Sequence, residues 1–244
     1  MSTLLLRFSG PLQGWGAESR FDERDTGTEP SRAGVIGLLA AALGLTREEP
    51  IARLAEIRLG VRIDSPGTIV RDFQTIQYLK EETVRRGGPV TIRRSDFPVV
   101  SPRFYLADAT FTVAIEHPDA SFLAQLGRAV VRPHWILALG RRACLPAEPM
   151  VALDDAGEPV LSDEPLEAAL SHAPDPGRRL AHRFVVEVAD GSPRPVLGRP
   201  DVLETRYDQP DGTAFSMIGR ATRLPRTVGI FARTVAANPL PTEG

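Results

Sequence analysis

The chain has one cysteine, Cys144, one lysine, Lys80, and only four histidines: His117, His134, His172 and His182. A lone thiol excludes an intramolecular disulfide and a cysteine-based zinc cluster, and histidines so far apart suggest no local metal-ligand pair. No apolar run approaches the roughly 20 residues that a bilayer-spanning helix needs, so a helical membrane protein is excluded. The opening MSTLLLRFSG has no basic leader before its short apolar run and passes directly into turn residues. It reads as a first strand and not a secretory signal, and the expected compartment is the cytoplasm. GxxxxGK[ST], GxSxG and HExxH are all missing, and the glycines of GWGAES lack the spacing and the following helix that cradle a pyrophosphate. No cofactor is expected.

What the chain has in quantity is arginine, 28 of its 29 basic residues. Guanidinium pairs with phosphate in a planar fork and stacks on bases, which suits RNA, although genome composition produces the same ratio. The net charge of −2 is unevenly spread. Residues 146–175 hold eight acidic residues and no Lys or Arg, so the rest of the chain carries +6, and the overall balance does not argue against a polyanionic partner. A length of 244 residues fits one large domain or one domain with an elaboration.

The apolar pattern predicts strand 3–8, TLLLRF, then a turn with three glycines and an indole, GPLQGWG (10–16). Trp15 there is either a core lid or a flat face for something planar. A helix follows in PSRAGVIGLLAAALGL, with Thr28 or Ser31 as cap and Gly44 as its end. Gly34 and Gly37, one turn apart, allow a close approach to this helix. Alternation predicts strands over 56–64 and 109–116, each with one wet face, a helix over 119–131 and a strand over 134–140. The resulting order, βαββαβ, is that of the α+β ferredoxin-like (RRM/RAMP) fold. The connection from 65 to 108 is far longer than a hairpin needs and carries seven basic and four acidic residues between Arg71 and Arg103. It reads as a basic β-hairpin arm turned by Gly87, Gly88 and Pro89. Residues 1–145 are expected to form a palm that includes this 65–108 thumb. Residues 146–244 are expected to supply an acidic linker with one short helix and then a C-terminal extension, in which strands 183–188 and 226–236 return to the palm.

Binding unpaired RNA needs cations for the backbone and planar groups for splayed bases. Arg71 with Phe73 and Gln74, Arg103 with Tyr105, the pair Arg141 and Arg142, and the arm cluster Arg85, Arg86, Arg93 and Arg94 are the candidates, with Trp15 beside them. A metal-independent ribonuclease is the alternative, with His134 and Tyr105 as the available acid and base.

Five stretches, LLLRFSGPLQGWG, DTGTEPSRAGVIGLLAAALG, RDFQT, YLADATFTVAI and LGRRACLP, occur in that order over residues 4–146. The set resembles the CRISPR-associated RAMP superfamily, in particular the CasD family of type I-E Cascade subunits. The resemblance implies a palm with a β-hairpin thumb in a non-catalytic subunit of a CRISPR surveillance complex in antiviral defence. Such a subunit holds the single-stranded 5′ handle of the crRNA, caps the filament of backbone subunits and contacts the large subunit, with no membrane partner. By position, Arg103 matches the arginine of the family's Arg-x-Tyr-Leu segment at the thumb base, Arg71 and Gln74 the segment before the thumb, and Arg141 and Arg142 its double arginine. Gln74 stands where the family often has histidine, which weakens a hydrolytic reading and keeps a hydrogen bonder. Residues 146–244 match less distinctly. The related type I-C endoribonucleases supply the alternative function, processing of CRISPR repeat RNA.

Overall fold

The computed structural model describes residues 1–16, 23–77, 79–82, 91–94, 98–174, 181–188, 196–210 and 223–234. Strand β1 (Ser2–Ser9) is followed by the two-residue β2 (Leu12–Gln13), helix α1 (Arg32–Leu43), the short α2 (Ala52–Ala55) and β3 (Arg58–Ser65). The long excursion contains β4 (Thr68–Ile76), β5 (Leu79–Glu82), β6 (Thr91–Arg94) and β7 (Val99–Ala107). Then come β8 (Thr110–His117), α3 (Ala120–Val131), β9 (Leu161–Ser162), α4 (Leu166–His172), β10 (Ala181–Glu187), β11 (Val202–Pro210) and β12 (Arg223–Thr234).

The palm is antiparallel, with β3, β8, β1 and β9 side by side in that order and α1 and α3 in the two crossovers, as the ferredoxin-like order requires. Its fourth strand is not the expected one. Residues 134–140 spend their backbone elsewhere: the His134 N–H donates to the Ala42 carbonyl (3.0 Å), which α1 leaves open at its last turn, and the Trp135 N–H shares the Ala41 carbonyl (3.3 Å) with the Gly44 N–H. The Leu139 carbonyl accepts from Gly14 N (3.0 Å). The vacant edge beside β1 is taken by β9, where Thr3 and Leu4 face Ser162 and Leu161. The acidic stretch is therefore no free linker. It is stitched to the palm by Ala147 N to the Ser9 carbonyl (2.9 Å) and Arg7 N to the Met150 carbonyl (2.8 Å), before α4 crosses the sheet.

Alternation along β1 separates the two faces. Leu4, Leu6 and Phe8 pack with Val113, Ile36 and Leu126 in the core under α1 and α3, whereas Leu5 joins Ala114, Leu166, Leu170 and Phe184 under α4. Gly60 makes the second layer close: a Cβ there would lie 2.5 Å from Leu166 Cδ2. The face of β3 expected to be wet is thus buried, and its arginines are paired. Arg62, fully buried, donates to Asp64 (2.6 Å) and to the Leu170, Ala173 and Pro174 carbonyls (2.7, 2.7 and 2.8 Å). Arg58 bridges Glu116 and Glu167. The broad sheet face on which an open fold of this class would stack bases is closed, so a ligand must use an edge or an end.

Strands β10, β12 and β11 extend the sheet beyond β3 to seven strands. Helix α1 starts at Ser31, whose hydroxyl accepts from Gly34 N (3.3 Å), and ends at Gly44 in the left-handed region (φ 79°). Its first N–H, that of Arg32, donates to Asp208 of β11 (2.8 Å), so the C-terminal strands help to cap it. In the thumb, β4 and β7 pair from Thr68 with Ala107 to Ile76 with Val99, and β5 pairs with β6 beyond them. The Gly87–Gly88–Pro89 turn lies outside the described residues, as do Arg85 and Arg86; Arg93 and Arg94 lie in β6.

Candidate nucleic-acid interface

The glycine turn receives the protein's own chain. Trp15 is 1 % exposed, stacked on Phe8 with ring centroids 5.5 Å apart, and its Nε1–H donates to Gln13 Oε1 (2.9 Å). Gly34 gives the indole room, since a Cβ on it would sit 2.9 Å from the ring. Gly140 (φ 85°) lies so tightly against Gly14 that a Cβ would come within 2.0 Å of the Gly14 carbonyl oxygen. Trp15 is consequently the core lid and offers no face to a base; with so large an apolar surface, burial prevails over display.

Tyr105 is buried as well, 5 % exposed, with the Arg141 guanidinium 4.7 Å over its ring. Arg141 is half-buried and spends its guanidinium on the protein's own backbone. It donates to the Phe104 carbonyl (2.7 Å), to the Arg24 carbonyl (2.8 Å) and to the Asp25 carbonyl. These contacts rivet three segments together: the thumb strand β7, the loop before α1 and the Gly140 turn. Both residues therefore brace the framework beside the cleft, Tyr105 by its buried ring and Arg141 by its bonds to three carbonyls.

Over this framework lies a cleft of about 600 Å³ lined by Gly14, Gly16, Arg24, Gly34, Arg103 and Arg141, among others. Two of its arginines are held in register by backbone. Arg24 forms a parallel bridge to Arg103, with Arg24 N donating to the Pro102 carbonyl (2.9 Å) and Phe104 N to the Arg24 carbonyl (2.8 Å). Among the described residues neither side chain has an acidic partner, and the buried Arg103 Nε has no hydrogen-bond acceptor. Arg32 and Arg206 share an Nε of that kind, and the contrast with nearby arginines lies in their carboxylate partners. Arg183 and Arg206 clasp Glu29 (2.7 and 2.6 Å), Arg32 grips Glu187 (2.6 Å), and Arg226 bonds Asp208 (2.6 Å). Burial alone would raise the carboxyls of Glu29 and Asp208; for Glu29 the Thr28 hydroxyl with Arg206 and Arg183, and for Asp208 Arg226 with the Arg32 N–H, hold the net value below the ordinary range. Those cations are neutralised, while Arg24 and Arg103 have no carboxylate partner among the described residues.

The remaining candidates divide by strand parity. Gln74 and Arg103 share the thumb face toward the palm, where Gln74 donates to Asp72 (3.0 Å). Arg71 points to the other face and covers the Phe73 ring at 4.4 Å; Phe73 is 62 % exposed. Arg142, exposed, borders a neighbouring groove. His134 packs its ring against Gly44 and edge-on to Trp135, 5.3 Å away, so it and buried Tyr105 present no acid–base pair. Arg24 escaped the sequence reading: the polar loop around it has no periodicity, and only the bridge to Arg103 reveals its place.

Comparison with known proteins gives a consistent set of relatives. The family model described as CRISPR-associated protein (Cas_Cas5) matches residues 3–225. The "CRISPR system Cascade subunit CasD" of Escherichia coli (strain K12) is 35 % identical over 162 residues, 61 % of this chain and 69 % of that protein. A solved structure titled "CRISPR RNA-guided surveillance complex" contains a chain 32 % identical, with a TM-score of 0.71, over 96 % of this chain and 91 % of that one. A "Crystal structure of Cas protein" matches at 30 % identity and TM-score 0.62, over 96 % and 94 % of the two chains.

Proposed function

From the chain's membership of the CRISPR-associated Cas5 family, we propose that it is a Cascade subunit in CRISPR defence that holds the 5′ handle of the crRNA in the Arg24–Arg103 cleft. The observation that carries this reading is the pair of guanidinium groups without a carboxylate partner among the described residues, fixed by backbone at the thumb base, while Arg32, Arg183, Arg206 and Arg226 beside α1 are matched to carboxylates. Glycines on both sides let a phosphodiester approach the backbone, and the closed rear face of the sheet directs the strand to this end. The thumb, with Gln74 on its palm side and exposed Phe73 behind, stands over the strand's path. A neighbouring backbone subunit and the large subunit are the expected protein partners, and the cytoplasm the expected site of action.

The role is binding without cleavage. Tyr105 is buried beneath Arg141, so the exposed His134 at the end of α1 is left without that partner and the ribonuclease alternative lacks an acid–base pair on this surface. Filter binding of full-length protein to a synthetic crRNA 5′ handle tests the proposal. Arg24→Ala and Arg103→Ala are each expected to weaken binding at least several-fold at moderate salt, with the RNA recovered intact. Unchanged affinity in the double variant, or a discrete cleavage product, would overturn it.

A further inference from the structure

The arginine cleft does not end at Gly34 and Gly140. Ala33, Gly34 and Gly140 also line a second groove, of about 870 Å³, which runs along α1 toward Thr46 and is bordered by His134, Trp135 and Arg142. Trp135 is 43 % exposed, an indole left open to solvent in a protein that buries its other one. Its backbone is nevertheless fixed, because the N–H groups of His134 and Trp135 close the last turn of α1. The His134 ring supports it edge-on. Arg142, on the same rim, has no side-chain partner among the described residues.

A rigidly mounted, exposed indole beside a free guanidinium is the pairing that unpaired nucleic acid requires, a face for one base and a cation for its phosphate. Resting on the handle-binding proposal above, we infer that Trp135 and Arg142 form a second nucleotide subsite. The RNA leaves the Arg24–Arg103 cleft across the Gly34–Gly140 saddle, one base stacks on Trp135, and the adjoining phosphate meets Arg142. The continuity of the two grooves, with Arg24 and Arg103 on one and Arg142 on the other, favours a polyanion as occupant. Ile136, 80 % exposed nearby, makes a protein partner the competing outcome.

The test pairs protein variants with abasic RNA. Full-length protein is titrated with single-stranded handle RNA in which each nucleotide in turn is replaced by an abasic one. With the wild type, one position is expected to lose about tenfold in affinity, the scale of a single stacked base. In Trp135→Ala that loss is expected to vanish while overall affinity falls by a similar factor, and Trp135→Phe is expected to retain most of it. Arg142→Ala is expected to weaken binding and to flatten its salt dependence, and circular dichroism establishes that the variants are folded. If the wild type binds the handle but every abasic position behaves identically in wild type and Trp135→Ala, the subsite is refuted and the first cleft stands. If Trp135→Ala instead impairs only association with a neighbouring subunit, the groove is a protein face and the inference is wrong. If the wild type does not bind the handle, both proposals fall.

Discussion

Single residues decide which arginines face outward. Arg141 looks like a phosphate ligand in sequence, yet its guanidinium joins three backbone carbonyls and covers Tyr105, whereas Arg24 is held against β7 with no carboxylate partner among the described residues. The two kinds of arginine should separate in salt titrations. Removing a phosphate contact lowers the slope of log affinity against log salt by about 0.7 for a single strand, so Arg24→Ala and Arg103→Ala should each show that reduction. Arg141→Ala should lower both the melting temperature and the affinity while leaving the slope unchanged, because it disturbs the frame and not the ion count. The two indoles should likewise behave oppositely. Trp15→Ala removes a buried ring and should cost about 4 kcal/mol in denaturant unfolding, whereas Trp135→Ala should cost less than about 1 kcal/mol. Gly140→Ala, at a left-handed angle and against the Gly14 carbonyl, should cost about 3 kcal/mol by the same measure.

At the scale of elements, the first five palm elements and the thumb were legible, because their apolar periods and caps are local: Ser31 and Gly44 bound α1 in the structure as the sequence implies. The fourth palm strand was not. HWILALG has a strand's composition, but the open carbonyls at the end of α1 and the glycine turn compete for its backbone, and the two-residue β9 is too short to leave a pattern. The burial of β3 on both faces was hidden for a related reason: Arg58 and Arg62 read as solvent-facing until α4 supplies carbonyls and Glu167. The site was legible by segment and less so by residue, since parity along β4 and β7 separates Arg71 from Arg103, and no local pattern brings Arg24 to the cleft.

The Asp208 cap of α1 carries its own prediction. Its carboxyl is held below the ordinary aspartate value in the folded state, so the stability it contributes is complete above that value and is lost as pH falls through the lower folded one. Asp208→Asn leaves Arg226 partly unmatched and should cost about 3 kcal/mol near neutrality; its stability should also fall less steeply than the wild type's below about pH 4.

For the molecule as a whole, the longest acidic stretch lies away from the proposed RNA-binding end, although Glu23 and Asp25 flank Arg24 there and Asp72 stands opposite Arg103. Residues 146–175 are without a basic residue and supply β9 and α4 at the rear and edge of the palm, while the unmatched arginines gather at the end where the glycine turn, α1 and the thumb meet. On the proposal above, that distribution gives the protein a direction, with the RNA tail at one end and a closed sheet behind it. The measurement that tests this most directly is photocrosslinking of a 4-thiouridine-substituted 5′ handle to the intact protein, with the attached peptides identified by mass spectrometry. Crosslinks confined to segments 10–16, 23–34, 98–106 and 134–142 are the expected result. Crosslinks concentrated on α4 and strands β10 to β12, or an even scatter over the surface, would contradict the account.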